Sequence, residues 1–463
     1  MVALAIEIAD TGLTALREGA DPVFEPAYAI VDRDALVLGE AARAQSRLRP
    51  RQSHHLFWSN LSEDDVPGTE YTQADLAHAH LERVWQRNGE GVDRVVLVVP
   101  PGLNRDQLGL VLGLAQECGL PVTGMADAAV ASCTAPAEDA QLIYLDAGRH
   151  AFFAAVIEQS AGGARRGRVA ALDSVGLDGL RDLWVREISQ QFLARTRFDP
   201  FHDARSEQLL FDRLRDWLRA ATASADPVPL ALEFEDQEFE TELDPSQLAA
   251  AAAPTYRALL QLLAGLREPG APVVIVLGER LSALPGLAAA LARMERARLV
   301  ALSPGAAVRG AISRLAHFPS GGDAVILTRQ LPFDGESIAV EASDITPAHD
   351  VETGRDGADE RATHVVWRGV AHALGERPLV VGSEAANGAR AIALSDTPGV
   401  SRRHCELRLL DDGALLTDLS RYGTFVNGSR AATETMLAPG DVLRIGTPGE
   451  ELLLIRLEHD DGP

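Results

Sequence analysis

The sequence predicts an α/β domain over residues 1–318 and an all-β sandwich over residues 363–463. In the first part, continuously apolar segments, typical of strands that are covered on both faces, alternate with amphipathic helices. The last part contains short segments of alternating hydrophobicity, separated by Gly and Asp turns at regular spacing. The intervening residues 319–362 are acidic and rich in Gly, Asp and Thr, which predicts a linker or a small β-addition.

The composition excludes several classes of function. No apolar run approaches the roughly 20 residues of a membrane span, and the net charge of −24 argues against nucleic acid or anionic membrane as a partner. The sequence contains no lysine, so no ammonium group can serve as a phosphate ligand. Cys118, Cys133 and Cys405 are widely spaced and match no metal or disulfide framework, which predicts a reducing, cytoplasmic location and no metal site.

A predicted hairpin lies near the middle of the first part. An apolar strand at 142–145 ends in Asp146-Ala147-Gly148, and an apolar strand returns at 152–156. This arrangement resembles the phosphate-binding hairpin of the actin-like ATPases, a family that includes the DnaK-type heat-shock chaperones. In that family a run of glycines lets backbone N–H groups approach the phosphates. Here Arg149 and His150 follow Gly148, so two large side chains stand at those positions.

The resemblance continues in the order of elements over residues 1–315. Glu7-Ile8-Ala9-Asp10-Thr11 resembles the first phosphate hairpin of the family, with Glu7 at the acidic position and Thr11 as the best match. The strand 272–277 and the turn at Gly278 resemble the adenosine-binding turn, and 303–311 resembles the closing helix. The resemblance implies a duplicated, ribonuclease H-like α/β fold. It also implies a site for ATP or ADP with Mg²⁺, formed by Glu7, Thr11, Asp146, Gly148 and Gly278.

Two functions follow from this resemblance. Three turns that would hold nucleotide have each lost glycine, and the lysine that assists hydrolysis in the family is absent. Because ATP hydrolysis depends on positioning and electrostatics around the phosphates, we expect a pseudo-ATPase with no catalytic residue and no firm cofactor, which acts as a scaffold or signalling adaptor. The alternative is an active DnaK-like ATPase that is recruited to phosphorylated partners.

Three motifs near the C-terminus occur in a specific order. They are Val-Ser-Arg-Arg-His-Cys at 400–405, Asp-Leu-Ser-Arg-Tyr-Gly-Thr-Phe-Val-Asn-Gly at 418–428, and a Gly-Asp-Val turn and strand within 437–446. Together they resemble a forkhead-associated (FHA) domain, a reader of phosphothreonine. The partner implied is therefore a protein that carries phosphothreonine.

The FHA resemblance also implies residue roles. Ser401 would donate its hydroxyl to the phosphate, Arg402 and Arg421 would supply charge, and Asn427 would hold the loops and reach the peptide backbone. Tyr422 replaces an asparagine and would affect selection of the residue after the phosphothreonine. The positions with expected structural roles are Gly382, His404, Gly423 and Gly428.

The first FHA motif departs from the family. Its usual Gly-Arg is Gly382-Ser383 here, so one charged hydrogen bond to the phosphate is lost. Such a loss costs about 1.5–3 kcal/mol, or roughly one to two decades of affinity. A sandwich that is kept for protein contacts without phosphate dependence is the alternative interpretation.

Overall fold

The chain forms two compact units, Met1–Ala348 and His349–Pro463, in the computed structural model. The residues that the structure describes are 2–32, 35–173, 175–268, 270–318, 325–339, 362–367, 370–375, 377–383, 390–394, 399–410, 413–421, 423–426, 429–438, 441–445 and 450–455. No helix among them is long and apolar enough to cross a membrane.

The first unit contains two six-stranded sheets. Sheet I has the order Leu327–Thr328, Val122–Asp127, Arg94–Val99, Ala3–Ala9, Gly12–Arg17, Val23–Pro26. Sheet II has the order Ala297–Ala301, Val273–Leu277, Gln141–Ala147, Phe152–Ser160, Gly163–Leu172, Gln330–Leu331. We call the halves of the unit that are built on these sheets the first and second lobes.

The two sheets share one topology. In each sheet, the central strand pairs antiparallel with the strand that follows it in the chain. On its other side it pairs parallel with a more distant strand. Beyond the parallel neighbour, each sheet contains one more parallel strand. Beyond the antiparallel neighbour, each sheet contains one more antiparallel strand. The central strands are Ala3–Ala9 and Gln141–Ala147, so their carboxyl ends carry Asp10 and Gly148 into the space between the lobes.

The helices of the first unit cover these sheets. Their bounds are Glu40–Arg43, Gln73–Asn88, Arg105–Glu117, Ala128–Ser132, Leu177–Thr196, Ala204–Ala223, Pro245–Leu266, Leu287–Leu291 and Ala306–Ser313, with 3-10 turns at Glu279–Leu281 and Leu315–His317. Helix Arg105–Glu117 begins with a capping box, in which the Asn104 side chain accepts the backbone N–H of Gln107 and the Gln107 side chain accepts the backbone N–H of Asn104.

Smaller sheets complete the first unit. Ala29–Asp32 pairs with Ala35–Leu38 and Ser53–His54, and Val228–Phe234 forms a hairpin with Gln237–Leu243. Ala137–Glu138 pairs with Ile338–Ala339. The strands between 327 and 339 therefore join the sheets of the first unit, and do not pair with one another in a separate addition after residue 318.

Among the residues that the structure describes, three buried clusters stabilise the first unit. One packs helices against sheet II around Trp184 and Phe192, and a second packs helices against sheet I around Phe57 and Leu76. The third contains residues from both sheets, including Ala5 and Tyr144, and helix Ala306–Ser313. Because both sheets are buried on two faces, their central strands are continuously apolar in sequence.

The second unit is a β-sandwich, which confirms the all-β prediction for the C-terminal part. One sheet contains Val370–Ala373, His364–Trp367, Glu450–Ile455, Val442–Ile445, Phe425–Val426 and Ser429–Arg430. The other contains Arg390–Ala393, Leu379–Gly382, Cys405–Leu410, Gly413–Asp418 and Glu434–Leu437. Leu443 and Leu454 of the first sheet share one buried core with Val381 and Leu407 of the second.

A buried histidine makes the first unit sensitive to acid. The indole N–H of Trp58 donates to Nδ1 of His80 at 3.0 Å, and the His80 side chain is fully buried. Burial lowers the pKa of His80 to about 3. Near pH 6.5, His80 therefore binds a proton in the unfolded chain but not in the folded chain. The free energy of unfolding consequently falls as the pH drops below that value.

Because of His80, we expect the free energy of unfolding to fall by about 2 kcal/mol as the pH drops from 7.5 to 5. In His80→Gln, the fall over the same pH interval should be smaller by about that amount. Urea unfolding at both pH values measures this difference. The exposed His202 provides the control, since His202→Gln should keep the pH dependence of the parent. Equal pH dependence for the parent and His80→Gln would contradict the assignment.

Candidate functional site

The first candidate site is the cleft between the lobes, where an arginine bridges two acidic side chains. Arg280 Nη2 donates to Glu7 Oε1 at 2.6 Å, and Arg280 Nη1 donates to Asp146 Oδ2 at 2.7 Å. Its Nε donates to the hydroxyl of Thr11 at 3.2 Å. One guanidinium thus joins the central strand of sheet I to the central strand of sheet II.

The electrostatics of the cleft keep this guanidinium charged. Burial opposes the charge of Arg280, but the nearby carboxylates of Glu7, Asp146 and Glu279 outweigh burial, so the pKa of Arg280 is raised well above its ordinary value. The pKa of the Tyr144 phenol is raised as well, first by burial and then by the negative charge of Asp146. Tyr144 therefore stays neutral and donates its O–H to Asp146 Oδ2 at 2.9 Å.

A carboxylate covers the turn after the central strand of sheet II. Asp10 Oδ2 accepts the backbone N–H of Arg149 at 2.9 Å. A Cβ on Gly148 would lie 2.7 Å from the same oxygen, so only glycine permits this approach. The Asp10 carboxylate thus lies against the backbone of the turn that the sequence resemblance assigns to a phosphate.

Arg149 continues the contacts between the lobes. Its Nε donates to the carbonyl of Asp10 at 2.9 Å, and its Nη2 donates to the carbonyl of Ala27 at 3.2 Å. Nη1 donates to Asp178 at 3.1 Å, and the guanidinium stacks 4.9 Å from the ring centre of Tyr28. The side chain is only 1% exposed, so the large residue in the predicted phosphate turn is directed into the protein.

The structure brings together four of the five cleft residues that the resemblance names, and places the fifth beside them. Glu7, Thr11 and Asp146 surround the guanidinium of Arg280, and Gly148 lies under Asp10. A Cβ on Gly278 would lie 2.4 Å from Asp146 Oδ1, so this glycine allows close approach to that carboxylate. Asp10 and Arg280 also belong to this site, although the sequence did not predict them as members of it. The only sequence signal for Arg280 was that it follows the altered turn at Gly278-Glu279.

The second candidate site is formed by loops of the sandwich. Arg421 donates its backbone N–H to the hydroxyl oxygen of Ser401 at 3.2 Å, which joins two loops that are 20 positions apart. Ser401 donates its own N–H to His404 Nδ1 at 3.1 Å, and His404 Nε2 lies 3.2 Å from the carbonyl of Gly423. His404 is fully buried, and burial lowers its pKa, so a neutral ring holds both loops.

Glycine permits the close packing beneath this site. A Cβ on Gly382 would lie 2.0 Å from the carbonyl oxygen of Arg402. Ser383 donates its N–H to the carbonyl of Ser401 at 3.0 Å, so the strand that ends at Gly382 supports the loop of Ser401 from below. Gly423 has φ of 99°, a backbone conformation that glycine adopts without strain.

The predicted phosphate-binding residues are therefore placed only in part. Ser401, Arg402 and Arg421 lie on two neighbouring loops, and both arginines are exposed. Tyr422, Asn427 and Gly428 lie outside the described residues, and their roles stay predictions.

Comparison with known protein families identifies a domain that includes the two loops of the sandwich. The FHA domain family matches residues 379–446. The C-terminal unit therefore contains an FHA domain. The match begins at strand Leu379–Gly382 and includes strand Val442–Ile445, and so covers both loops of the second site. No curated protein matches the chain. Neither comparison supports the resemblance of residues 1–318 to the actin-like ATPases.

Proposed function

We propose that this protein is a non-catalytic scaffold or signalling adaptor. In this proposal the first unit is a degenerate actin-like domain, and the FHA domain binds a protein partner through phosphothreonine. One observation carries the first half of the proposal: the guanidinium of Arg280 lies between Glu7 and Asp146, the two carboxylates that the resemblance assigns to the nucleotide site. An FHA domain is a protein-recognition module, and the family match carries the second half.

The actin-like assignment of the first unit is supported by its topology. The resemblance implies a duplicated fold, and sheets I and II share the same strand order and directions over five strands. Glu7 and Asp146 both lie near the carboxyl end of a central strand, and Asp10 directly follows the central strand of sheet I. These features agree with the resemblance of the sequence motifs, and they favour a common origin of the two lobes.

The cleft does not fit ATP with Mg²⁺. Arg280 takes the place between the carboxylates where a divalent cation would be expected, and the Asp10 carboxylate takes the Arg149 N–H that would face a phosphate. A polyphosphate entering this turn would meet the negative charge of Asp10, and the chain has no lysine to offset it. The guanidinium of Arg280 thus lies where Mg²⁺ would be expected, and the carboxylate of Asp10 lies where a phosphate would be expected.

A thermal-shift titration of the full chain with ATP and Mg²⁺ tests the first half of the proposal. We expect no change in the melting temperature of the first unit and no phosphate release. A ligand present at 100 times its Kd would add about 2.7 kcal/mol of stability, which is readily detected. A rise of several degrees together with phosphate release would establish the alternative, an active ATPase that its FHA domain recruits to phosphorylated partners.

Phosphothreonine recognition is supported by the loops of the sandwich. Because the Ser401 oxygen accepts the Arg421 N–H, its own proton remains available to a ligand oxygen. Arg402 and Arg421 add positive charge on the same two loops, and charge-assisted hydrogen bonds are the strong ones for phosphate. The buried ring of His404 fixes both loops before a ligand arrives, which reduces the entropy lost on binding.

Ser401→Ala is expected to weaken phosphopeptide binding at least tenfold, because it removes a charge-assisted hydrogen bond worth about 1.5–3 kcal/mol. The measurement is fluorescence polarisation with a degenerate phosphothreonine peptide pool and its unphosphorylated counterpart. Thr433 is exposed in the same unit, and Thr433→Ala should leave binding unchanged. If the two pools bind the parent equally, the domain makes protein contacts without phosphate dependence.

A further inference from the structure

A cavity of about 200 Å³ remains in the cleft beside the Arg280 bridge. Its walls are mainly apolar: Ile8, Trp58, Leu103 and Val111 from the first lobe, and Ala151 and Phe153 from the second. An apolar cavity of about 150 Å³ is large enough to hold benzene. The space therefore suits a small organic molecule with one aromatic ring and a short side chain, and it is smaller than the pockets that usually hold larger ligands.

The charged groups that line the cavity are mostly negative. Glu7, Asp10 and Asp146 contribute three carboxylates, and Arg280 contributes one guanidinium, which is engaged by Glu7 and Asp146. His150 lies exposed among the lining residues. The excess of negative charge disfavours an anion and favours a cation in this space.

The Asp10 carboxylate lies outside the ion pairs that Arg280 forms with Glu7 and Asp146. It accepts the backbone N–H of Arg149, but within the described parts of the chain its side chain forms no ion pair. It is half-buried, so its charge is less screened by water than that of a surface carboxylate. An ammonium group at this position would gain a charge-assisted hydrogen bond that the protein alone does not provide.

We propose that this cavity binds a small apolar molecule that carries one primary ammonium group, such as an arylalkylamine. The ring occupies the space between Trp58, Val111 and Phe153, and the ammonium donates to the Asp10 carboxylate. The site is distinct in chemistry from a nucleotide site, since it selects positive charge and a small apolar body. It gives the cleft of a non-catalytic domain a ligand of its own.

The test uses three probes of one shape with the full-length protein: phenethylamine, 2-phenylethanol and phenylacetate. Affinities are measured by ligand-observed NMR titration at neutral pH. We expect the amine to bind at least tenfold more tightly than the alcohol, and we expect no binding of the carboxylate. Equal binding of the amine and the alcohol, or no binding of the amine at millimolar concentration, would overturn the proposal.

Two variants identify the position of the ligand. Asp10→Asn keeps an oxygen that can accept the Arg149 N–H and removes the charge, so amine binding should weaken about tenfold and alcohol binding should not change. Asp106→Asn removes an exposed carboxylate at the start of helix Arg105–Glu117 and serves as the matched control. Unchanged amine binding by Asp10→Asn would refute the site.

A further variant, Val111→Phe, keeps the test valid if Asp10→Asn does not fold. Val111→Phe fills the cavity from the first lobe and should abolish binding of both the amine and the alcohol. Retained binding by this variant would place the ligand elsewhere. ATP hydrolysis in the same preparation would refute the proposed function, and would leave the amine measurement to be judged separately.

Discussion

Replacing Arg280 with alanine is expected to destabilise the first unit by about 3–5 kcal/mol at neutral pH. The side chains of Arg280, Glu7 and Asp146 are each at most 11% exposed. Removing the guanidinium leaves two buried carboxylates, previously held by one cation, without a counter-charge. The cost arises less from the lost attraction than from the uncompensated charges that stay behind.

The pH dependence of this loss distinguishes it from simple loss of packing. In Arg280→Ala the unpaired carboxylates should take up a proton more readily, so the deficit should shrink as the pH falls from 7 towards 5. Urea unfolding at several pH values measures the effect. Arg219 is 63% exposed and lies 3.8 Å from Asp216, so Arg219→Ala should change stability by less than about 0.5 kcal/mol. A deficit below about 1 kcal/mol, or one that does not vary with pH, would argue against the bridge.

Replacing Arg149 with methionine is expected to cost about 3 kcal/mol. Methionine fills much of the same volume, but it leaves the carbonyls of Asp10 and Ala27 without their donors and leaves Asp178 without its buried partner. Arg149→Lys should recover less than half of the loss. A single ammonium cannot reach three acceptors that the planar guanidinium contacts with three separate nitrogens.

Arg181 provides a close control for Arg149, because both arginines bind Asp178. Arg181 Nη1 lies 3.2 Å from that carboxylate, but its side chain is 41% exposed. Arg181→Met should therefore change the free energy of unfolding by only about 0–1 kcal/mol. If the two methionine variants were equally stable, the buried contacts of Arg149 would contribute nothing beyond a surface ion pair.

The local structure of the first unit was largely accessible from the sequence. The apolar run at 142–145 lies within strand Gln141–Ala147, and the apolar run at 152–156 lies within strand Phe152–Ser160. These patterns reflect whether one or two faces of a strand or helix are buried. They can be recognised from residues that are close together in the sequence. The FHA motifs were accessible for a different reason: their turns and loops need particular residues at fixed spacing.

The closed cleft could not be predicted in the same way. Arg280 is separated by 273 positions from Glu7 and by 134 from Asp146, so no local pattern connects them. The resemblance assigned Glu7, Asp146 and Gly278 to one site, but it described the differences from the family only as losses. The side chains that contact both lobes, those of Asp10, Arg149 and Arg280, became apparent only when both lobes were seen together.

The internal ion bridges bear on how the protein would behave in a cell whose adenylate pool rises and falls. Groups that are covalently attached to the chain are present at a fixed, high effective concentration and cannot be depleted. The spacing of the two lobes, which Arg280 and Arg149 maintain, is therefore expected to be the same in starved and in growing cells. Under the proposed function, the adenylate pool would therefore not switch this adaptor, whereas kinases and phosphatases that act on its partner would.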